Sequence, residues 1–355
     1  MWGKMAKYWT IRAGRAGERV EWALSKGLVG GGWHEVSDLS PYKNDKDKLR
    51  KLVAETYGGS PSRVGNYLGQ LWRFVHEIKP GDFMVLPIRS TSQVALGEVL
   101  SGYYFDESEE DLDRRHKINV KWLRTDIPKS IFKQDLLYQM GSAMTIFEVG
   151  NNDAGYRIDQ ILKGHNDPGA RSVGNQSSSA ESIAGVSSDF GEAPRLNLEE
   201  VAQDEISKRL QEDFKGHDLS VLIEALLTAE GFKCRNSPPG ADGGVDVLAG
   251  MGALGMDSPK LVVQVKSQTN AVSDEVLQKL SGAIHRFKAD QALLVTFGGV
   301  TAQAKKFLES EYFEIRVWSI EDILEKVYKH YASLPEELKA RLPLKQIWVP
   351  IDSEG

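Results

Sequence analysis

Cysteine is nearly absent from this sequence. Cys234 is the only one among 355 residues, which excludes a disulfide framework and any zinc site built from several cysteines. The N-terminus lacks the apolar segment of a signal peptide, and no stretch approaches the roughly 18 consecutive apolar residues of a membrane span. We therefore expect a protein without a membrane segment, located in the cytoplasm.

A strong excess of basic residues is missing as well. The formal net charge is −6, which counts mildly against nucleic acid as a partner of the whole surface. The charge is unevenly distributed, because residues 1–163 carry 24 Lys and Arg against 21 Asp and Glu, whereas residues 204–355 carry 18 against 23. A surface for phosphate groups is therefore expected first in the N-terminal part.

The length and one low-complexity stretch predict two domains. A single hydrophobic core usually stops growing at roughly 250–300 residues. Residues 164–193 contain seven serines, five glycines and one aromatic residue, a composition that forms no core and is typical of a flexible tether. We expect a first domain over 1–163, a linker over 164–203, a second domain over 204–335 and a C-terminal tail over 336–355.

The hydrophobic periodicity differs between the two halves. In the first, helical patterns precede short β-rich segments at Phe83–Ile88, Val94–Leu100 and Lys117–Leu123, which predicts a small β-barrel with helices. The second alternates helices and strands, which predicts a mixed sheet flanked by helices. The expected fold class is thus a two-domain protein, α+β followed by α/β.

Two neighbouring segments of the second half carry the most informative polar residues. Asp242-Gly243-Gly244-Val245-Asp246 opens one predicted strand, and Gln264-Val265-Lys266 closes the next. Residues two apart in a strand share a face, so the side chains of Gln264 and Lys266 point the same way. We expect Asp246 to lie opposite them and to offer a carboxylate beside the lysine.

This combination suits the hydrolysis of a phosphodiester. A hard divalent cation takes oxygen ligands, here the carboxylate of Asp246, the amide oxygen of Gln264 and the carbonyl of Val265. Such a cation activates water and neutralises phosphate charge. Lys266 would position the attacking water or stabilise negative charge, and Glu224, within an apolar helical run, would reach the metal directly or through water. Mg²⁺ is the expected cofactor, with Mn²⁺ as a substitute.

Each residue taken singly also has an ordinary structural explanation. Asp242 with its two glycines is typical of a turn, Lys266 of a strand end at the surface and Glu224 of a helix face. Their joint order and spacing favour the catalytic interpretation, in which Asp242 remains a turn-forming residue.

The same residues carry a family resemblance. An acidic residue in the first helix, the DGGVD segment, the QVK segment and the strand Ala292–Thr296 together resemble the Mrr-type endonuclease domain of the PD-(D/E)xK superfamily, over roughly residues 210–330. The resemblance implies that Glu224, Asp246, Gln264 and Lys266 form the catalytic set. Gln264 replaces an acidic residue of the general superfamily pattern, as in the Mrr branch, which leaves the number of metal ions open.

Tryptophan is concentrated in the first half, which contains six of the eight. Most of these side chains are expected in the core, and a subset is a candidate for stacking on a flat base, which contributes about 1–3 kcal/mol per base. The candidates for a base pocket are Trp33, Trp9 and then Trp72, although for each one separately the core interpretation is favoured.

Segments of the first half resemble a second family. YWTIRAGRAGE, GGW and LWRFVHEIKPGDFMVLP are similar to the EVE/YTH branch of PUA-like domains, over about residues 6–162. This resemblance implies a reader that takes a flipped, modified nucleotide into an aromatic pocket. Arg12 and Arg15, in a glycine-rich turn, are the candidates for phosphate contacts, and Arg89 is a weaker one.

Together these features predict a modification-dependent, type IV-like DNA restriction endonuclease. Its expected partner is double-stranded DNA that carries a modified base. A homodimer is expected, because one such site cuts one strand. Two alternatives remain open: a nucleic-acid-binding defence sensor whose nuclease domain is inactive or needs a partner, and a structure-selective or RNA-directed nuclease.

Overall fold

The computed structural model describes residues 6–141, 144–171, 197–237 and 244–349. The chain divides into two compact units, Met1–Arg89 with Gln93–Val201 and Ser90–Ser92 with Ala202–Gly355. Within the described ranges, no helix is long and apolar enough to cross a membrane.

The first unit combines seven described strands with short helices. The strands are β1 (Tyr8–Ile11), β2 (Leu28–Gly31), β3 (Phe83–Ile88), β4 (Gln93–Val99), β5 (Tyr104–Phe105), β6 (His116–Pro128) and β7 (Ile146–Glu148). The helices are α1 (Val20–Lys26), α2 (Lys46–Tyr57), α3 (Pro61–Trp72), α4 (Gln134–Met140) and α5 (Ala154–Leu162). A five-residue π-helix, Arg73–Glu77, continues α3.

The sheet of the first unit is curled. Its strand order is β2-β6-β4-β3-β1-β7, with β5 paired to β6, and β1 and β3 form its parallel pair. The pairing of β4 with β6 shifts register on both sides of Leu96, and such bulges bend a sheet. The pairing of the described residues does not join β2 to β7, so the structure shows a curled sheet with helices, and the small β-barrel stays a prediction.

Residues of β1 alternate between two hydrophobic clusters. Trp9 and Ile11 belong to a cluster that also contains Leu49 of α2 and Leu68 of α3. Tyr8 belongs to the other, together with Ile158 of α5. Because successive strand residues face opposite sides, the sheet of the first unit is covered on both faces.

The expected linker, residues 164–203, is ordered at both ends. Asp167 is buried and accepts two hydrogen bonds from the fully buried guanidinium of Arg157, each at 2.7 Å. Arg157 also donates to Asp135 of α4, at 2.6 and 2.8 Å. Helix α6 (Leu198–Asp213) begins before the predicted end of the linker. The linker prediction was therefore too long, and its central residues 172–196 lie outside the described ranges.

The second unit alternates helices and strands as its periodicity indicates. Its strands are β8 (Lys233–Asn236), β9 (Val247–Met251), β10 (Asp257–Lys266), β11 (Gln291–Thr296) and β12 (Ile315–Trp318). Besides α6, its helices are α7 (His217–Ala229), α8 (Asp274–Phe287), α9 (Ala302–Ser310), α10 (Ile320–His330) and α11 (Glu336–Arg341).

These five strands form one mixed sheet in the order β12-β11-β10-β9-β8. Strands β10, β11 and β12 are parallel, whereas β8 and β9 are antiparallel to their neighbours. Val247 and Val263 pack on one face, in a cluster with residues of α7 and α10. Val262 and Leu294 pack on the other, with residues of α8 and α9. The predicted mixed sheet flanked by helices is present.

The segment after residue 335 is part of the core and is not a tail. Leu338 of α11 and Leu342 are only 5% and 1% exposed and join the cluster on the α7 face. The hydroxyl of Tyr331 donates to the carbonyl of Leu342 and accepts from the amide of Leu344, each at 2.8 Å. The predicted tail, 336–355, therefore starts too early, and its last residues, 350–355, lie outside the described ranges.

Leu338→Ala tests whether α11 belongs to the core. We expect the free energy of unfolding of the second unit to fall by about 2–4 kcal/mol, because truncation leaves a cavity. Urea denaturation followed by circular dichroism measures it. The control Ile347→Ala changes a side chain that is 64% exposed and should stay within about 0.5 kcal/mol of the unmodified chain. An equally small effect of Leu338→Ala would contradict the assignment.

Candidate active site

Asp246 lies where β9 and β10 separate. The register of the two strands ends with Val263 opposite Val247, one residue beyond Asp246. The amide of Asp246 still donates to the carbonyl of Val263 at 2.8 Å, and its carboxylate accepts a bond of 2.7 Å from the amide of Val265. Because that amide points along the plane of the sheet, the carboxylate occupies the opening between the strands.

Gln264 and Lys266 flank this bond on the same side of the sheet. Val262 of the same strand packs with α8 and α9, so alternation places Gln264 and Lys266 on that face as well. Gln264 is buried and Lys266 is half-buried. The structure thus brings Asp246 next to the strand segment that carries two of the three other residues of the predicted catalytic set, Gln264 and Lys266.

The amide of Gln264 is buried with an unused oxygen. Its Oε1 atom has no hydrogen-bond partner among the described residues, although the residue is only 7% exposed. An isolated buried acceptor is unfavourable and marks a place where a cation or a water is expected. Gly244 borders the same amide, because a Cβ atom at this glycine would lie 2.8 Å from Nε2 of Gln264.

Lys266 ends β10 opposite a buried polar residue. Its partner in the register is Thr296 of β11, which is fully buried. The next residue, Ser267, accepts a hydrogen bond of 2.9 Å from the amide of Gly216, immediately before α7. This bond fixes the start of α7 to the end of β10.

Glu224 has a different immediate partner from the one expected. Its Oε2 atom accepts a bond of 2.8 Å from Nδ2 of Asn236 at the end of β8. Asn236 lies opposite Val247, and the amide of Ser237 donates to the carbonyl of Asp246 at 2.8 Å. Glu224 therefore lies at the same end of the sheet as Asp246 but on the α7 side. Sequence reasoning missed Asn236, which belongs to no motif.

The oxygen ligands that this site offers suit a hard cation, although they carry little negative charge. Asp246 offers one carboxylate, held by the amide of Val265, and the neighbouring Gln264 offers an amide oxygen without a partner among the described residues. Within the described ranges, no group of three or more His, Cys, Asp and Glu side chains could hold a metal ion. Oxygen donors that are not carboxylates, together with water, would have to complete the coordination. Asp242 lies outside the described residues.

Two of the three predicted base-pocket tryptophans belong to the core. Trp9 is fully buried, and its Nε1 atom donates to Asp82 at 3.0 Å. Trp33 is 5% exposed, with its ring edge-on to Phe74 at 5.2 Å. Neither ring can stack on a base, so their assignment to a pocket was wrong and the core interpretation holds for both.

Trp72 is the remaining candidate. It is half-buried at the end of α3, and its ring stacks on His76 with centroids 4.2 Å apart. The ammonium of Lys46 lies 6.0 Å from the ring centroid. A half-buried aromatic ring with a lysine beside it is a suitable stacking platform for nucleic acid.

The two arginines proposed for phosphate contacts differ in their surroundings. Arg12 forms an ion pair with the buried carboxylate of Glu200, so its assignment to phosphate was wrong. Arg15 is exposed, and its carbonyl accepts a hydrogen bond of 2.8 Å from Arg89. These two side chains remain the basic candidates at this turn.

The backbone of that turn already binds an internal anion. The amide of Ala16 donates to both carboxylate oxygens of Glu18, each at 3.2 Å. Hydrogen bonds from backbone amides lower the pKa of Glu18, against a smaller opposing effect of burial. Because the Ala16 amide already donates to Glu18, a phosphate at this turn would have to bind the side chains of Arg15 and Arg89 and not the backbone amide.

Comparison with known families adds to this geometry. Residues 211–327 match the Mrr_cat family model, described as a restriction endonuclease. The second unit carries a restriction endonuclease domain of the Mrr type. All four residues of the predicted catalytic set fall within the matched range.

The first unit matches a family without a described function. Residues 9–150 match a domain of unknown function, DUF8426. This match names neither the EVE/YTH branch nor a PUA-like fold, so the resemblance of the first unit to these domains stays a prediction. No curated protein matches the chain.

Solved structures with some similarity include three chains. A protein of unknown function, AF1548, has 16% identity and a TM-score of 0.25, and the match covers 30% of this chain and 64% of that one. MspJI restriction endonuclease in complex with a 27-mer oligonucleotide has 13% identity, a TM-score of 0.32 and coverages of 84% and 68%. The DNA modification-dependent restriction endonuclease AspBHI has 15% identity and a TM-score of 0.30, and the match covers 89% of this chain and 78% of that one. The assignment of the second unit rests on its family match and its site geometry.

Gly244→Ala tests the contact beside Gln264. Gly244 has a φ of +86° and no room for a Cβ atom, so we expect a loss of about 1–2 kcal/mol in the free energy of unfolding, measured by urea denaturation. The control is Gly282→Ala in α8, where a Cβ atom meets nothing within 4 Å. That change should stabilise the chain by about 0.5–1 kcal/mol. Equal effects of the two substitutions would contradict the proposed constraint at Gly244.

Proposed function

We propose that this chain is a metal-dependent endodeoxyribonuclease that hydrolyses DNA phosphodiester bonds. The observation that carries the proposal is the carboxylate of Asp246, held by the amide of Val265 between Gln264 and Lys266, together with the Gln264 amide oxygen, which has no partner among the described residues. The match of the surrounding residues to a restriction endonuclease family supports the choice of substrate.

Asp246, Gln264 and Val265 would hold the divalent cation, with Mg²⁺ as the physiological ion and Mn²⁺ as a substitute. When bound, such a cation neutralises charge on the phosphate and lowers the pKa of a coordinated water. The Val265 amide orients the carboxylate of Asp246 through the 2.7 Å hydrogen bond. Gly244 and the packing around Gln264 keep the amide oxygen in place.

Lys266 would act on the reacting phosphate. Lys266 is half-buried and directly follows Val265, whose amide donates to Asp246. Its side chain lies on the same face of the sheet as that of Gln264. There it can orient the attacking water and stabilise the negative charge that develops on the phosphate oxygens. A positive charge at this position also attracts the DNA backbone.

Lys266→Ala and Asp246→Ala test the hydrolytic step. We expect cleavage of a DNA substrate with Mg²⁺ to fall by roughly 10²–10³-fold in either variant, because each removes a group that stabilises the transition state. Binding of DNA, measured by fluorescence anisotropy, should persist. The matched control is Lys260→Ala, at the opposite end of the same strand. Cleavage by the two site variants at the rate of the control would overturn the assignment.

We further propose that the first unit reads a modified base in double-stranded DNA, as the similarity of its sequence to EVE/YTH domains implies. The half-buried ring of Trp72, with Lys46 and His76 around it, supports a stacking role. Arg15 and Arg89, at the exposed turn, support contacts with the phosphate backbone. Two copies of the chain would cut the two strands.

One observation favours the alternative of a binding protein without cleavage. The described part of the site offers a single carboxylate, from Asp246, to a metal on the Gln264 face, and no cluster of three metal-binding side chains. A low ligand charge weakens the affinity for a divalent cation. Absence of cleavage by the unmodified chain with Mg²⁺ or Mn²⁺, on every DNA tested, would establish the binding protein.

A panel of duplexes tests base recognition. Unmodified, cytosine-methylated, hydroxymethylated and adenine-methylated DNA are compared for cleavage and affinity, and we expect one modified duplex to be preferred. Trp72→Ala should weaken binding to that duplex by about 1–3 kcal/mol, the contribution of base stacking. Trp348→Ala, at an exposed tryptophan of the second unit, is the control. Equal affinity for all four duplexes would favour the structure-selective or RNA-directed nuclease.

A further inference from the structure

The two strands beside β9 each carry an amide side chain whose oxygen atom is buried, and Asn236 as a whole is half-buried whereas Gln264 is buried. Oδ1 of Asn236 on β8 and Oε1 of Gln264 on β10 have no hydrogen-bond partner among the described residues. Asp246 precedes the strand between them. Asn236 lies opposite Val247 on the α7 face, whereas Gln264 lies on the face of α8 and α9, so the two acceptors meet at one end of the sheet from its two sides. Two such acceptors are unexpected in a purely structural sheet end, because buried polar atoms are normally satisfied.

The orientation of the Asn236 amide is fixed by its neighbour. Nδ2 of Asn236 lies 2.8 Å from Oε2 of Glu224. A carboxylate only accepts hydrogen bonds, so the amide must present its N–H group to Glu224 and turn its oxygen away. The unused Oδ1 atom is therefore a consequence of holding the Glu224 side chain.

Helix α7 is fastened to the site at two points. Its first turn follows Gly216, whose amide donates to Ser267 at 2.9 Å, next to Lys266. Two turns later Glu224 is held by Asn236, whose neighbour Ser237 donates to the carbonyl of Asp246 at 2.8 Å. The helix thus spans from the end of β10 to the end of β8 and places the Glu224 carboxylate at the Asp246 end of the sheet, on the α7 side.

We propose that Asn236 is a positioning residue of the cation site. It holds the carboxylate of Glu224 at the Asp246 end of the sheet, where Glu224 binds a water of the hydrated cation, and its own Oδ1 atom accepts a hydrogen bond from the same shell of water. This inference rests on the proposed nuclease function and extends its site to β8. Groups that orient the ligands of a metal contribute about 10–100-fold to its affinity.

The test measures Mn²⁺ binding to the full-length chain by calorimetry. Asn236→Leu removes the donor and the acceptor and keeps the branched heavy-atom skeleton, and Asn236→Thr is a second, smaller variant suited to a strand but too short to reach Glu224. We expect each to weaken Mn²⁺ binding about 10-fold. Glu224→Gln should have a similar effect, and combining it with Asn236→Leu should weaken binding no further.

Cleavage gives a second measurement, which separates positioning from a general loss of structure. The Mn²⁺ concentration for half-maximal cleavage should rise in Asn236→Leu, whereas kcat at saturating Mn²⁺ should equal that of the unmodified chain. Partial unfolding would instead lower kcat at every metal concentration. The matched control is Gln278→Leu, which removes another amide that donates to a carboxylate, Asp274, at an exposed position of α8.

The outcomes distinguish this inference from the function on which it rests. The positioning role is overturned if both Asn236 variants bind Mn²⁺ with unchanged affinity, or if the effects of Asn236→Leu and Glu224→Gln are additive. If Asp246→Ala nevertheless loses Mn²⁺ binding, the proposed nuclease site still stands. Mn²⁺ affinity that is unaffected by Asp246→Ala overturns the cation site itself, and the role of Asn236 with it.

Discussion

The candidate site depends on one hydrogen bond, from the amide of Val265 to the carboxylate of Asp246. In a continuous antiparallel ladder a backbone carbonyl would accept that bond, so the carboxylate replaces a carbonyl at the point where the strands separate. The hydrogen bond also fixes the carboxylate between the strands, next to the segment that carries Gln264 and Lys266.

Much of the second unit could be predicted from its sequence, because its strands are short apolar runs between helices with regular periodicity. Strands β10 and β11 end at Lys266 and Thr296, as expected. The placement of the Gln264 and Lys266 side chains on one face of β10 follows from the two-residue period of a strand alone. Helix α6 was missed, since it is polar along most of its length and follows a serine-rich stretch. A short helix was expected in the last twenty residues, but the packing of α11 against the core was not.

Other features depend on contacts that no local pattern contains. Tryptophan composition does not distinguish a buried ring from a stacking platform, and Asp82, 73 residues away, provides the partner that allows Trp9 to be buried. The pairing of Arg12 with Glu200 joins residues 188 apart. Asn236 likewise could be recognised only from its hydrogen bond to Glu224, which lies on the preceding helix. Sequence reasoning therefore located the chemical groups of the second unit better than the surface of the first.

The two edges of the second sheet have a consequence for assembly. Each edge strand, β8 and β12, has only four residues, and charged side chains, Lys233 and Arg235 on β8 and Arg316 on β12, are exposed along them. Short edges with charged side chains resist the addition of a further strand. Two catalytic units that cooperate on a duplex would therefore meet through helices or loops, and a continuous intermolecular β-sheet is disfavoured.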